Sequence, residues 1–305
     1  FAVGGTAFRT SGVSVAPRSE GNRELDGNDN RTLNIRLGLQ PLDNLEIDLF
    51  GRLVDSTIET DPQPFVPGII GTVDGNDRTE TLQRTGRAQV KYSLFGGQWQ
   101  HIAGVAYHTD QAHLTSDSLG DFDSTGEKTR FDYQSNLFFQ TLDWGKAKHT
   151  LTVLVEREVD GEQTASAFGG SDLSIVNHGL VGEYRLSLFD RLFLSASLRH
   201  DFNELFDNAT TYRLTAAYVL PETGIRLHGS AGTGVKNPTL FELFGFGRTF
   251  VPNPNLAPEK SHGFDIGVEQ GIWDDRIVLD LTYFHNRITG LIDGSSNTFG
   301  MMVLG

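Results

Sequence analysis

Apolar and polar residues alternate along stretches of about ten residues, and this period of two leaves few folds open to the chain. From Leu33 the apolar positions are Leu33, Ile35, Leu37 and Leu39, with Asn34, Arg36 and Gly38 between them. Leu45, Ile47, Leu49 and Leu53 follow, against Glu46, Asp48 and Arg52. The same design returns at Ala88–Leu94, Leu151–Val155, Leu192–Leu198, Tyr212–Tyr218 and Ile277–Tyr283. Alternate strand residues point to opposite faces, so each run has one apolar and one polar face. No segment carries a comparable helical period, and the fold class expected is all-β. Soluble strands average about 5–6 residues, whereas a tilted strand crossing a bilayer needs about 9–11.

The connections sort by length. Tight turns are expected at Gln40–Asn44, Phe95–Gln98, Trp144–Lys148, Phe189–Arg191, Pro221–Gly224 and Trp273–Asp275. The other connections read as long and polar: 11–30, 56–78, 111–128, 160–172 and 235–261. Short turns on one rim and long loops on the other describe an antiparallel outer-membrane barrel with short periplasmic turns and long extracellular loops. Phe95, Trp99, Trp144, Phe189, Phe193 and Trp273 gather at the tight turns, where an interfacial girdle belongs. A soluble antiparallel sheet with one buried face is the competing reading, and run length argues against it. The mean hydropathy of −0.27 does not, since only every second residue of a membrane strand meets lipid.

Composition removes other classes. The net charge of −14 gives no basic footprint for nucleic acid, and the absence of Cys rules out disulfides, thiolate metal sites and a Cys nucleophile. About 13 or 14 strands are expected, fewer than the 16–22 of larger water-filled or plugged barrels. Residues 1–305 therefore read as a fragment of a larger barrel.

The carboxyl third carries the most specific text. Gly232-Thr-Gly-Val-Lys-Asn-Pro-Thr-Leu-Phe-Glu-Leu-Phe244 precedes Asn253-Pro-Asn-Leu-Ala-Pro-Glu-Lys-Ser261, then Gly267-Val-Glu-Gln270. This closely resembles the barrel of TonB-dependent outer-membrane receptors, with their order GTGFKAPTLxELY, NPNLxPEKS, GxE. Phe8–Gly12, Leu25–Gly27 and Leu33–Ile35 look like early strands of the cobalamin/siderophore-receptor branch. Asn237 departs from the usual Ala. The resemblance implies a receptor of the Gram-negative outer membrane that imports a scarce bulky nutrient, cobalamin first and a ferric siderophore second. It also implies outer-membrane lipid around the barrel, a plug domain of the same protein within it and the TonB complex as partners. On this resemblance residues 1–305 are the β-barrel part, with about 13–14 of roughly 22 strands and with plug domain, TonB box and closing strands absent. The acidic composition adds no nucleic acid to these partners. A passive porin or adhesin barrel is the alternative.

The matched motif residues are Lys236, Pro238, Glu242, Asn253, Pro254, Asn255, Leu256, Pro258 and Glu259, and their expected role is mainly structural. Prolines fix φ and cannot donate to a ladder, and Asn side chains form Asx turns, so this stretch reads as a defined loop. Glu24, Asp26, Asp55 and Asp61 lie in adjacent acidic loops whose hard oxygens suit calcium, as in cobalamin receptors by resemblance. No covalent cofactor is expected. Asp121–Asp132 mimics a calcium loop in ligand order, without flanking helices. Gly229–Lys236 misses the phosphate-loop spacing, and the nine His are scattered, so no enzyme is expected. Inward charges such as Arg199, Asp201, Glu183 and Arg185 read as salt-bridge ladders of a polar lumen.

Overall fold

The computed structural model describes residues 1–14, 25–61, 75–117, 120–141, 147–167, 169–245, 250–274, 276–296 and 302–304. Thirteen antiparallel strands form one sheet in which each strand pairs with the sheet strands before and after it in the chain. They are β1 (Ala2–Thr10), β2 (Asn28–Leu42), β3 (Leu45–Thr60), β4 (Asp77–Leu94), β5 (Trp99–Thr115), β6 (Phe122–Thr141) and β7 (Ala147–Ser166). The sheet continues with β8 (Gly169–Leu188), β9 (Leu192–Asn203), β10 (Ala209–Leu220), β11 (Ile225–Lys236), β13 (Glu259–Ile272) and β14 (Ile277–Thr289). Between β11 and β13 lie the helical turn α1 (Leu240–Phe244) and β12 (Phe250–Val251). β12 joins β15 (Gly294–Ser296) and β16 (Met302–Leu304) in a small separate sheet. The large sheet is open, with β1 and β14 as its edges.

The apolar positions have no core to enter. Among the described residues only Val54, Ala147, Ile175, Leu240, Leu243 and Leu256 are buried hydrophobics. Ile35, Leu49, Leu194 and Leu281 are 46%, 38%, 38% and 76% exposed, which excludes a dry centre between stacked sheets. Pairing keeps this face in register: Leu37 opposes Leu49, Leu49 opposes Ala88, and Ala88 opposes Val105. So large an exposed apolar surface needs a non-aqueous neighbour, and hydrocarbon is the one a regular strand array fits.

The short rim has a recurrent construction. Phe95, Phe189 and Trp273 all adopt positive φ in turns, at 52°, 56° and 55°, and are 71%, 59% and 72% exposed. A left-handed non-Gly residue costs on the order of 1 kcal/mol. Placing an aromatic ring at the membrane interface offsets that cost. Just above, Trp99 Nε1 donates to Ser135 Oγ (2.8 Å), and the His101 and His149 rings bond Tyr133 and Tyr184 hydroxyls at 2.6 Å each. Polar edges of the girdle are thus satisfied where water thins. Trp144, placed in this girdle by sequence, lies outside the described residues.

Two connections differ from expectation. Residues 111–128 and 160–172 read as long loops, yet β5 runs to Thr115, β6 starts at Phe122, β7 runs to Ser166 and β8 starts at Gly169. These strands project past the membrane, where both faces are wet and side-chain alternation carries no signal, while the backbone ladder needs none. The segment 229–236, glycine-rich in sequence, is likewise strand β11.

Candidate functional site

The inner face is polar, and its charges are arranged rather than scattered. Arg87 Nη1 lies 3.1 Å from Asp132 Oδ1; Arg130 bridges Asp132 and Glu156; Arg199 Nη2 meets Glu156 Oε1 at 2.5 Å and Asp201 Oδ1 at 2.6 Å. Signs alternate along this chain from β4 to β9, so the wall is locally neutral. Asp132 and Glu156 are the shielded members, 7% and 8% exposed in their side chains. A shielded carboxylate needs its cations, so the ladder acts as a unit.

Two of these contacts leap over a strand, and glycine makes that possible. A Cβ on Gly104 of β5 would sit 2.8 Å from Arg87 Nη2 and 2.9 Å from Asp132 Oδ2. One on Gly179 of β8 would sit 2.7 Å from Arg199 Nη2 and 2.9 Å from Glu156 Oε1. The device recurs at Gly267 of β13, where His228 Nε2 reaches Asp280 Oδ2 (3.0 Å) from β11 to β14. Nearer the short rim, Arg36 binds Asp48, Lys91 binds Glu46, Arg185 binds Glu183 and Arg226 binds Glu269. Arg213 faces the same interior on β10, with no ion pair among the described residues. Beside it, Lys148, Arg185, Arg226, Ser230 and Asp265 line a cavity of about 530 Å³.

The proline-rich connection after β11 folds inward at the other end. Thr239 caps α1: its Oγ1 accepts from Glu242 N (3.1 Å), and Glu242 Oε2 accepts from Thr239 N (2.7 Å). This reciprocal cap was readable as Thr-x-x-Glu, a signal that the all-strand expectation passes over. α1 lies on the inner side of β7 and β8. There the Phe241 N–H reaches Glu162, whose pKa is raised because burial outweighs that hydrogen bond. Leu243 and Leu256 pack together with Phe206 and Ile292.

The motif residues act within this loop. Pro238 is buried, and Lys236 Nζ reaches Glu259 Oε1 (3.5 Å) across the last β11–β13 pair. Glu259 also accepts from Ile292 N (2.9 Å). Asn253 Oδ1 accepts from Asn255 N (3.0 Å), an Asx turn, and Asn253 N donates to Glu242 O (3.0 Å). Pro254 and Asn255 are exposed; Pro258 is half-buried. Asn237, the departure from the usual Ala, donates to Asn203 Oδ1 (3.0 Å) and ties the loop to β9.

Among the described residues Asp26, Asp55 and Asp61 do not gather into one set. Asp61 accepts from Ser14 Oγ and Gly75 N, both at 3.3 Å, and Asp55 sits on β3 opposite Arg31. Asp26 lies just before β2, and Glu24 falls outside the described residues. Among the described residues no three His, Asp or Glu side chains gather as a metal-ligand set. Within 121–132, Asp123 bonds His113 (2.7 Å) and Asp132 belongs to the ladder, so this stretch is strand and not a calcium loop.

Residues 5–303 match the protein family described as TonB dependent receptor-like, beta-barrel. A vitamin B12 transporter, BtuB of Vibrio vulnificus (strain YJ016), is 30% identical over 98 residues, 32% of this chain and 15% of that protein. The siderophore receptor PirA of Acinetobacter baumannii superposes with a TM-score of 0.78 at 16% identity, over 99% of this chain and 51% of that one. The hemophore receptor HasR of Serratia marcescens gives 0.75 at 13%, over 98% and 53%. The chain thus spans about half the length of these structures.

Proposed function

Since the chain belongs to the TonB-dependent receptor-like β-barrel family of Gram-negative outer membranes, we propose that it forms the barrel wall of a receptor importing a scarce, bulky nutrient. Cobalamin is the first candidate and a ferric siderophore the second. The likeness to a vitamin B12 transporter supports the first, and the siderophore-receptor folds support the second.

The observation that carries this reading is the width of the wall. Thirteen strands pair in sequence without closing and without a dry core. Eight strands already make a barrel that side chains can fill; a larger circumference encloses water and leaks unless plugged. The role proposed for the inner face follows. A self-neutralised ladder offers a plug domain hydrogen-bonding surface without a strong net field, so the plug can dock and be rearranged by TonB. In this reading the inward loop around α1 lies over the interior at the outer end, and the hydrogen-bonded Asn203 and Asn237 are the polar groups it offers an arriving ligand. The work done is capture and passage, with no bond of the nutrient broken.

The test uses the full-length receptor in cells lacking their own cobalamin and siderophore receptors. Labelled cobalamin and ferric siderophores are offered with TonB present and absent. Uptake of one ligand that requires TonB is expected. Equal uptake without TonB, or constitutive ion conductance of the purified protein in planar bilayers, overturns the reading in favour of a passive pore.

A further inference from the structure

On β13 and β14 the outward charges sit together at the loop end of the apolar band. Reading up β13 from the short rim, the outward residues are Val268, Ile266 and Phe264, then His262 and Lys260. On β14 they are Leu279, Leu281 and Tyr283, then His285 and Arg287. His262 opposes Arg287 directly, and the His262 and His285 rings lie 6.5 Å apart. Tyr212 of β10 and Thr233 of β11 complete a cavity of about 640 Å³ with Lys260, His262, Arg287 and Thr289. Asp207 is the one carboxylate bordering it among the described residues. Lys260 and Arg287 are exposed and make no ion pair among the described residues.

A second sector repeats the arrangement. On β7, Leu151, Val153 and Val155 give way to Arg157, whose partner on β8 is His178, above Leu180. Its neighbour on β6 is Phe131. Arg157 and His178 are exposed, and Arg157 has no ion pair among the described residues. Elsewhere at this level Arg31 pairs with Asp29 (3.2 Å), while the Arg84 guanidinium donates to the neutral amide of Gln111 (3.2 Å). A chain of net charge −14 therefore keeps unpaired cations where its apolar band ends, against its own composition.

We propose that these patches bind the phosphate groups of an anionic lipid in the outer leaflet, the β13–β14 patch as the principal site and Arg157–His178 as a lesser one. Acyl chains lie along the apolar band, which brings the headgroup to the level of the cations. A guanidinium grips phosphate oxygens in two parallel hydrogen bonds, and the Lys260 ammonium adds a point charge. Surface cations attract anionic lipid steeply with distance, so position at the band's edge matters more than number. The inference rests on the strands spanning a membrane and is independent of which nutrient is carried.

The full-length receptor, purified in detergent, is offered phosphatidic acid or a phosphate-free diglucosyl diacylglycerol of equal chain length, and retained lipid is counted by native mass spectrometry. Wild type is expected to retain phosphatidic acid selectively. Each cation removed costs about fivefold in affinity, so Lys260→Gln with Arg287→Gln loses about 25-fold and Arg157→Gln alone about fivefold. Arg287→Lys retains most of the binding. Heat-dependent mobility on gels confirms that each variant is a folded barrel, and the Arg157 variant is an independent test should the double variant not fold. Equal retention of the two lipids by wild type, unchanged retention by folded variants, or binding of inorganic phosphate with no lipid preference each overturns the proposal.

Discussion

The lower and upper halves of β5–β8 share one hydrogen-bond ladder and nothing else. In the lower half, outward residues such as Ala103, Val105, Leu151, Val153 and Leu180 face hydrocarbon, and inward residues carry the ion-pair ladder. In the upper half, Thr125, Gln163 and Asp172 stand outward in direct register, and Ser124, Thr164 and Ser171 stand inward. The ladder continues unbroken through the change. Pairing is thus a property of the backbone, while alternation reports which solvent each face meets.

A cation moved along one outward face tests this most sharply. Val153→Arg, midway on β7 between the girdle residue His149 and Arg157, is expected to lose about 2–4 kcal/mol. Ser174→Arg, outward on the upper part of β8, is expected to stay within about 0.5 kcal/mol of wild type. Urea-dependent refolding of the full-length receptor into liposomes measures both. Equal penalties would mean that the two halves share a solvent, and the membrane assignment of the lower half would fail.

The same contrast explains what was readable. Leu33–Leu39, Leu45–Leu53 and Ile277–Tyr283 announce their strands because one neighbour is lipid and the other water. Residues 111–115, 122–128 and 160–166 look like loop because both neighbours are water, although they are strand. The sequence pattern also names the inward charges one strand at a time, and the Arg87–Asp132 and Arg199–Glu156 pairs stay hidden. Seeing them requires register, since each pair skips a strand. Gly104 and Gly179 look like weak spots in isolated strands until the side chains passing over them are known. The role of Asn253 as an Asx turn was legible from residue type; the helical turn at Leu240–Phe244 was signalled only by its capping pair.

Gly179 gives the inner half of the comparison its own test. An added Cβ meets the ends of the Arg199 and Glu156 side chains, so the ion pair yields before the backbone does. Gly179→Ala is expected to cost about 1–3 kcal/mol, because Glu156 is left shielded with a weakened partner. Gly182 lies on the same strand with nothing within 4 Å of its added Cβ, and Gly182→Ala is expected to be close to neutral. Combining Gly179→Ala with Arg199→Met identifies the mechanism. Additive losses would show that glycine is needed for some reason other than the crossing contact.

At the outer mouth the effect is smaller and local. Thr239→Ala removes one half of the α1 cap, worth about 1 kcal/mol. Hydrogen exchange is expected to quicken at Leu240–Phe244 with the sheet amides unchanged. Quickening throughout β7 and β8 would show that the loop props the wall, rather than resting on it.

The smallest effect belongs to the β5–β6 tip, beyond the membrane, where His113 and Asp123 oppose each other in direct register. The hydrogen bond that the His113 imidazolium donates to Asp123 holds it above its ordinary pKa, outweighing the desolvation that opposes it. The folded value therefore exceeds the unfolded value of about 6.5, and the pair's contribution is fully present below that value. It fades as pH rises through the folded pKa. Exchange at the amides of Ala112–Thr115 is expected to show protection that is lost as pH rises above about 6.5, after correction for intrinsic rates, and Asp123→Asn is expected to abolish this step. A step that survives Asp123→Asn would assign the titration to another group and leave the wet half of these strands held by its backbone ladder alone.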